Sequence, residues 1–197
     1  MENSRHLIVL GDRLVAGVGD ARALGWIGRV LARLGEPDLI HPYVLAVPEE
    51  STSELAARWR MEAERRAVYG RTAVVLGISP EDTNAGLTTP RSRLNLANIL
   101  DDAAGMHMST FVVGPPPLPT YDVNACAALN KALAEVCARR QVPYVDTFSP
   151  LVGHDEWSID VARTGMPGQS GYGLLAWLVL NAGFGSWLGV EDVWEKR

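Results

Sequence analysis

The sequence is short of histidine, lysine and cysteine, and each shortage narrows what the chain can do. Its 197 residues include 4 histidines, His6, His41, His107 and His154, so any histidine-dependent chemistry must use one of them. Among 18 basic residues only Lys131 and Lys196 are lysines. That arginine bias fits a GC-rich bacterial genome and points to no function. Basic charge is itself in deficit, with a formal net charge of −5. This is the opposite of a nucleic-acid footprint, so no nucleic-acid partner is expected. The 2 cysteines, Cys126 and Cys137, fall on one expected helix. Three turns of helix separate them by ~16 Å, beyond the ~7 Å that a disulfide allows. Buried thiols in a reducing compartment are expected, and neither residue has metal-ligand spacing or implies a cofactor. No apolar run reaches the ~18–20 residues that cross a bilayer, and no signal pattern precedes the first strand. A cytoplasmic protein with no membrane association is therefore expected.

What is present is ordinary globular composition, 47% hydrophobic and 21% charged. No linker, repeat or low-complexity stretch interrupts it, so a single domain over 1–197 is expected. Short apolar runs alternate with helical patterns. His6-Leu7-Ile8-Val9-Leu10 reads as a buried parallel strand. Further strands are expected at 43–47, 72–77, 109–113 and 143–148. Helices are expected from Trp26 to Leu34 and over 53–69, 93–104, 124–140 and 169–181, with a loop over 79–91. Five parallel strands separated by helices predict a three-layer α/β/α sandwich of the doubly wound, flavodoxin-like kind. In such sheets ligands bind beyond the carboxyl ends of the strands.

Those post-strand segments carry a pattern. They read Val9-Leu10-Gly11-Asp12-x-Leu14 with Gly17; Trp59; Val75-Leu76-Gly77; Val112-Val113-Gly114-Pro115-Pro116-Pro117; Val142-Pro143-Tyr144-Val145-Asp146; and Pro167-x-x-x-Gly171-Tyr172-x-Leu174-Leu175-Ala176. In this order they resemble the GDSL, or SGNH, hydrolases, lipases and esterases, nearly end to end. The resemblance implies the SGNH-hydrolase fold. It also implies a serine nucleophile, an oxyanion hole completed by a glycine and an asparagine, and an Asp–His pair that activates the serine.

Carried over position by position, none of those functional residues is found. The nucleophile position is Arg13, and the second-block glycine falls on Glu49. The third-block asparagine falls on Ser79 or Pro80, with Asp82 after it. The histidine position is Met166 and the aspartate position is Arg163. A guanidinium stays protonated and cannot attack a carbonyl. Methionine is neither a base nor a proton donor. A carboxylate at Glu49 repels an oxyanion. The resemblance therefore implies a pseudo-hydrolase rather than a conventional serine esterase.

The cleft gains charge in exchange. Arg13 is expected at the start of the first helix, where free amides favour an anion, with Arg163 across the cleft and Glu49 between or beside them. One reading is a closed ion pair of Arg13 or Arg163 with Glu49 or Asp12. The other is a site for a small anionic ligand or an acidic partner segment, with Asp12, Arg13, Glu49, Ser51, Ser79, Asp82 and Arg163 as candidates. Two alternatives stand beside it. One is a repurposed enzyme running an isomerisation, cyclisation or elimination on a small anion. The other is an esterase or lipase with a displaced nucleophile. Ser51 reads more simply as a helix cap, His154 as a solvated loop residue, and Trp177, Trp187 and Trp194 as packing groups.

Overall fold

The computed structural model describes residues 4–190. Within it the expected α/β alternation forms one sheet. Strands β1 (Arg5–Gly11), β2 (Ile40–Ala46), β3 (Thr72–Gly77), β4 (Ser109–Val113) and β5 (Tyr144–Val145) lie in the order β2-β1-β3-β4-β5, all parallel. Side chains alternate across a strand, and here each face buries its own core. Leu7 and Val9 of β1 and Ala73 and Val75 of β3 pack toward α1 (Gly25–Leu31), α7 (Gln169–Asn181) and α8 (Phe184–Leu188). Ile8, Leu10, Val74 and Leu76 pack toward α2 (Thr52–Glu64), α4 (Thr89–Gly105) and α5 (Val123–Arg139). Trp26 anchors the first layer and Trp59 the second, both essentially buried. The three layers follow directly from strands that are apolar on both faces.

Several boundaries differ from expectation. The 79–91 stretch is not a loop throughout. It forms α3 (Glu81–Asn84), and α4 begins at Thr89, with Pro90 in the first turn, where its missing N–H costs nothing. A further helix, α6 (Asp155–Ala162), is capped by His154, whose ring accepts the Trp157 amide at 3.4 Å. His154 is thus exposed, as expected, and also serves as the N-cap of this helix. Strand β5 stops after two residues because the Asp146 carboxylate turns back to accept the Phe148 and Ser149 amides, both at 2.9 Å. Trp187 packs against the core aromatic Phe111 while Trp177 is half exposed. Trp194 lies outside the described residues.

The sheet order reverses between β1 and β3, and their carboxyl ends meet without a gap. Gly11 and Gly77 are register partners. A Cβ on Gly11 would stand 2.2 Å from the Gly77 carbonyl oxygen, and its φ of +155° is open mainly to glycine. This crossing point is where an open α/β sheet places a ligand site. Both cysteines are free and buried on α5. Burial pushes the Cys126 thiol up to about 11 and the Cys137 thiol up to about 12. The native protein is therefore expected to resist iodoacetamide at about pH 8 and to incorporate two labels once unfolded, read by intact mass.

Candidate functional site

The segment after β1 sets the first residues of the site. Asp12 is buried, and its carboxylate accepts the Leu14 amide at 2.8 Å, which fixes the turn leaving the strand. Burial pushes this carboxyl up to about 6, against the opposing pull of the Leu14 amide, the Ser79 hydroxyl and the Arg13 charge. Residues after Asp12 run through successive turns, and α1 begins only at Gly25. Arg13 therefore does not stand at a helix N-terminus, contrary to expectation. The short spacing of Gly17 and Gly19 keeps this stretch coiled rather than helical.

Arg13 reaches the segment after β2. Its Nη1 donates to Glu49 Oε1 at 3.4 Å, with the side chains 29% and 65% exposed. Of the pairs that the sequence leaves possible, the one between Arg13 and Glu49 is formed, and it is open to solvent rather than closed. The buried Nε of Arg13 has no hydrogen-bond partner among the described residues. Glu49 itself has a φ of +58°, the left-handed region that favours glycine.

The neighbouring carboxylate behaves differently. Glu50 is buried and paired with Arg58 of α2, whose Nη2 donates to Glu50 Oε2 at 2.7 Å and to the Leu45 carbonyl at 2.9 Å. Desolvation outweighs that ion pair and leaves the Glu50 carboxyl above its ordinary range. Next to it, Ser51 caps α2 in a reciprocal box with Glu54, as its sequence position suggests. Its hydroxyl donates to Glu54 at 2.7 Å, so it serves as a capping group.

The segment after β3 brings Ser79 to the same place. Ser79 is buried, accepts the Glu81 amide at 3.3 Å and lies 3.4 Å from the Glu50 carbonyl. No histidine joins it among the described hydrogen bonds. Asp82 departs from its expected role. It is buried, and both its oxygens are occupied by Thr52, the backbone amide at 2.6 Å and the hydroxyl at 2.7 Å. It ties α3 to the start of α2. Asn95 extends that network through the Thr52 and Ser53 hydroxyls.

The two positions on the last loop separate. Met166 is 9% exposed and joins the apolar core beside α7. Arg163 ends α6, is exposed, and makes no ion pair among the described residues. It borders a pocket with Gly19, Asp160 and Ser170, and no described bond links it to Arg13 or Glu49. The reason is Asp160, whose carboxylate accepts the Gly168 and Gly171 amides at 2.6 and 2.8 Å. That cap anchors the start of α7, and Arg163 is left on the rim.

Two residues that sequence reasoning did not single out complete the site. Glu81 accepts the Tyr121 hydroxyl at 2.6 Å, across 40 residues of chain. Burial and the Glu81 charge hold the Tyr121 phenol well above its ordinary range, while Arg13 pulls the other way. Only the position of Glu81, two residues past Ser79, signals it in the sequence. The ring of Tyr121 also borders a cavity of about 450 Å³ walled by Pro117, Leu118, Leu151 and Trp157. The assembled site is one guanidinium among three carboxylates, Asp12, Glu49 and Glu81. No cluster among the described residues has the makings of a metal site, and no described helix is long and apolar enough to cross a membrane.

Against known proteins, residues 9–174 match the model of the GDSL-like lipase/acylhydrolase family. No curated protein matches the chain. Its fold is similar to that of a lipase/acylhydrolase from Enterococcus faecalis, with a TM-score of 0.77 at 19% identity over 95% of this chain and 98% of that one. It is also similar to a psychrotrophic esterase from Pseudoalteromonas sp., with a TM-score of 0.73 at 16% identity over 94% and 100%. An acetylxylan esterase from Geobacillus stearothermophilus gives 0.74 at 15% identity over 97% and 98%. At such identities the likeness concerns the fold.

Proposed function

The chain belongs to the GDSL-like lipase/acylhydrolase family, and from that premise we propose that it is a pseudo-hydrolase that binds a small anionic ligand in the cleft of a hydrolase fold. The observation that carries this reading is Arg13. It follows β1 where the family resemblance puts the nucleophile, and its guanidinium is engaged by the exposed Glu49 carboxylate rather than by a histidine. An arginine there cannot form an acyl intermediate, but it is well suited to a carboxylate or phosphate.

The rest of the cleft supports the same reading. Met166, at the histidine position, is packed into the core and offers no proton chemistry. Glu49, at the second-block glycine position, still has a glycine-like φ, which supports its alignment with that block. Its side chain brings negative charge where an oxyanion would develop. Among the described residues no histidine partners Ser79 to take its proton. Losing one member of such a triad costs several orders of magnitude, and here every member is replaced.

A fluorophosphonate probe is therefore expected to leave the folded protein unlabelled, and p-nitrophenyl acetate is expected to hydrolyse at the buffer rate. Near-stoichiometric labelling of a single serine, mapped by peptide mass, would overturn the proposal and restore an esterase with a displaced nucleophile.

A further inference from the structure

The ion pair at the centre of the site is built from an awkward residue. Glu49 holds a φ of +58°, which residues bearing a side chain adopt rarely. Both flanks of this residue are fixed. On one side the Val47 amide donates to the Gly11 carbonyl at 3.0 Å. On the other, Glu50 is locked to Arg58 and Ser51 caps α2. The loop thus aims the Glu49 carboxylate at Arg13 while leaving it 65% exposed. One 3.4 Å contact in solvent is a weak hold, typical of surface pairs that contribute little.

We infer that Glu49 is a built-in competitor, whose carboxylate occupies on Arg13 the place that an incoming carboxylate ligand takes. The inference rests on the proposed anion-binding role of Arg13 and names the ligand chemistry, a carboxylate. Binding exchanges one carboxylate for another on the same guanidinium. Glu49 turns outward to water without any rearrangement of the buried Glu50–Arg58 anchor. The left-handed backbone is the cost of presenting this internal carboxylate from a loop shaped for glycine.

The test is a titration of the ¹⁵N-labelled protein with sodium acetate at constant ionic strength, following the arginine Nε–H signals. Arg13→Met identifies the Arg13 signal by its disappearance. Glu49→Gln keeps the side-chain size and removes the charge, and Glu49→Gly removes the side chain with a residue suited to the backbone. Both Glu49 variants are expected to bind acetate about fivefold more tightly than the parent, the upper fold-change for loss of an exposed ion pair. Acetate should produce no site-specific shift in Arg13→Met. Equal or weaker affinity in both Glu49 variants, with binding still dependent on Arg13, overturns the competition and leaves the anion-binding reading standing. Absence of any Arg13-dependent shift in the parent and both Glu49 variants overturns that reading itself.

Discussion

Arg58→Met is expected to lower the melting temperature by about 6–20 °C, the equivalent of roughly 3–5 kcal/mol for stranding a buried charge in a domain of this size. The guanidinium of Arg58 is a junction. It holds the buried Glu50 carboxylate, the Leu45 carbonyl of β2 and, at 3.4 Å, the Gly11 carbonyl of β1. Removing it leaves Glu50 in the interior without its partner. Desolvation already raises the Glu50 carboxyl, so in the variant it must take up a proton or unfold the loop. A raised carboxyl stabilises the native state below its unfolded pKa and loses that contribution as pH rises through the folded one. The variant should accordingly melt closer to the parent near pH 5 than near pH 8. Adding Glu50→Leu should recover most of the loss, because a buried pair replaced by apolar groups is often neutral. A single variant that melts within about 2 °C of the parent would show that the junction contributes no more than a surface pair.

The second large effect belongs to Asp12 and is a pH dependence. Its carboxyl is pushed up to about 6 from an ordinary 3.8, chiefly by burial. Between those values the folded chain binds a proton that the unfolded chain has lost, so stability falls as pH rises. The contribution is complete below about pH 4 and gone above about pH 6, and a displacement of that size is worth about 3 kcal/mol. Asp12→Asn keeps an acceptor for the Leu14 amide and removes the titration. Comparing urea unfolding of the two proteins, the variant should gain about 3 kcal/mol on the parent between about pH 4 and pH 7. Other groups pull in the opposite direction. Asp20, for example, is held well below its range by Arg29; its contribution is full above the ordinary carboxylate pKa and is lost as pH falls below it. Those groups are common to both proteins and cancel in the difference. A difference that stays flat across this range would mean that Asp12 ionises freely inside the fold.

What is legible in the sequence, and what is not, divides along the range of the interaction. The strands are legible because runs such as Ala73-Val74-Val75-Leu76 are apolar on both faces, and only a sheet covered on two sides needs that. The Ser51 cap is legible because its partner, Glu54, is three residues away. Helix α6 is hidden because its eight residues carry an exposed Ile159 and too little periodicity to stand out. Strand β5 is shorter than its apolar run suggests because the Asp146 side chain competes with the ladder, and composition does not reveal that competition. In the site, a pair of Arg13 or Arg163 with Glu49 or Asp12 is one of two readings the sequence leaves open, and the pair that forms is Arg13 with Glu49. Arg163 is expected beside them, yet the Asp160 cap on α7 holds the last loop so that it faces outward. The Tyr121–Glu81 bond and the Arg58 junction are invisible in the sequence because each joins elements whose approach is set by packing, not by sequence spacing.

The ends of the sheet bear on how this chain behaves in a crowd. Among the described residues β2 is an edge strand paired only with β1, and it carries Pro42 at its third position, opposite Leu7. A proline offers no N–H to a newcomer, so a strand docking there meets a gap in the ladder. The opposite edge, β5, has two residues, too few to template another strand. Both open margins of the sheet are thus poor seeds for intermolecular β-pairing. Even with Val44 half exposed on the β2 margin, the fold discourages polymerisation strand by strand.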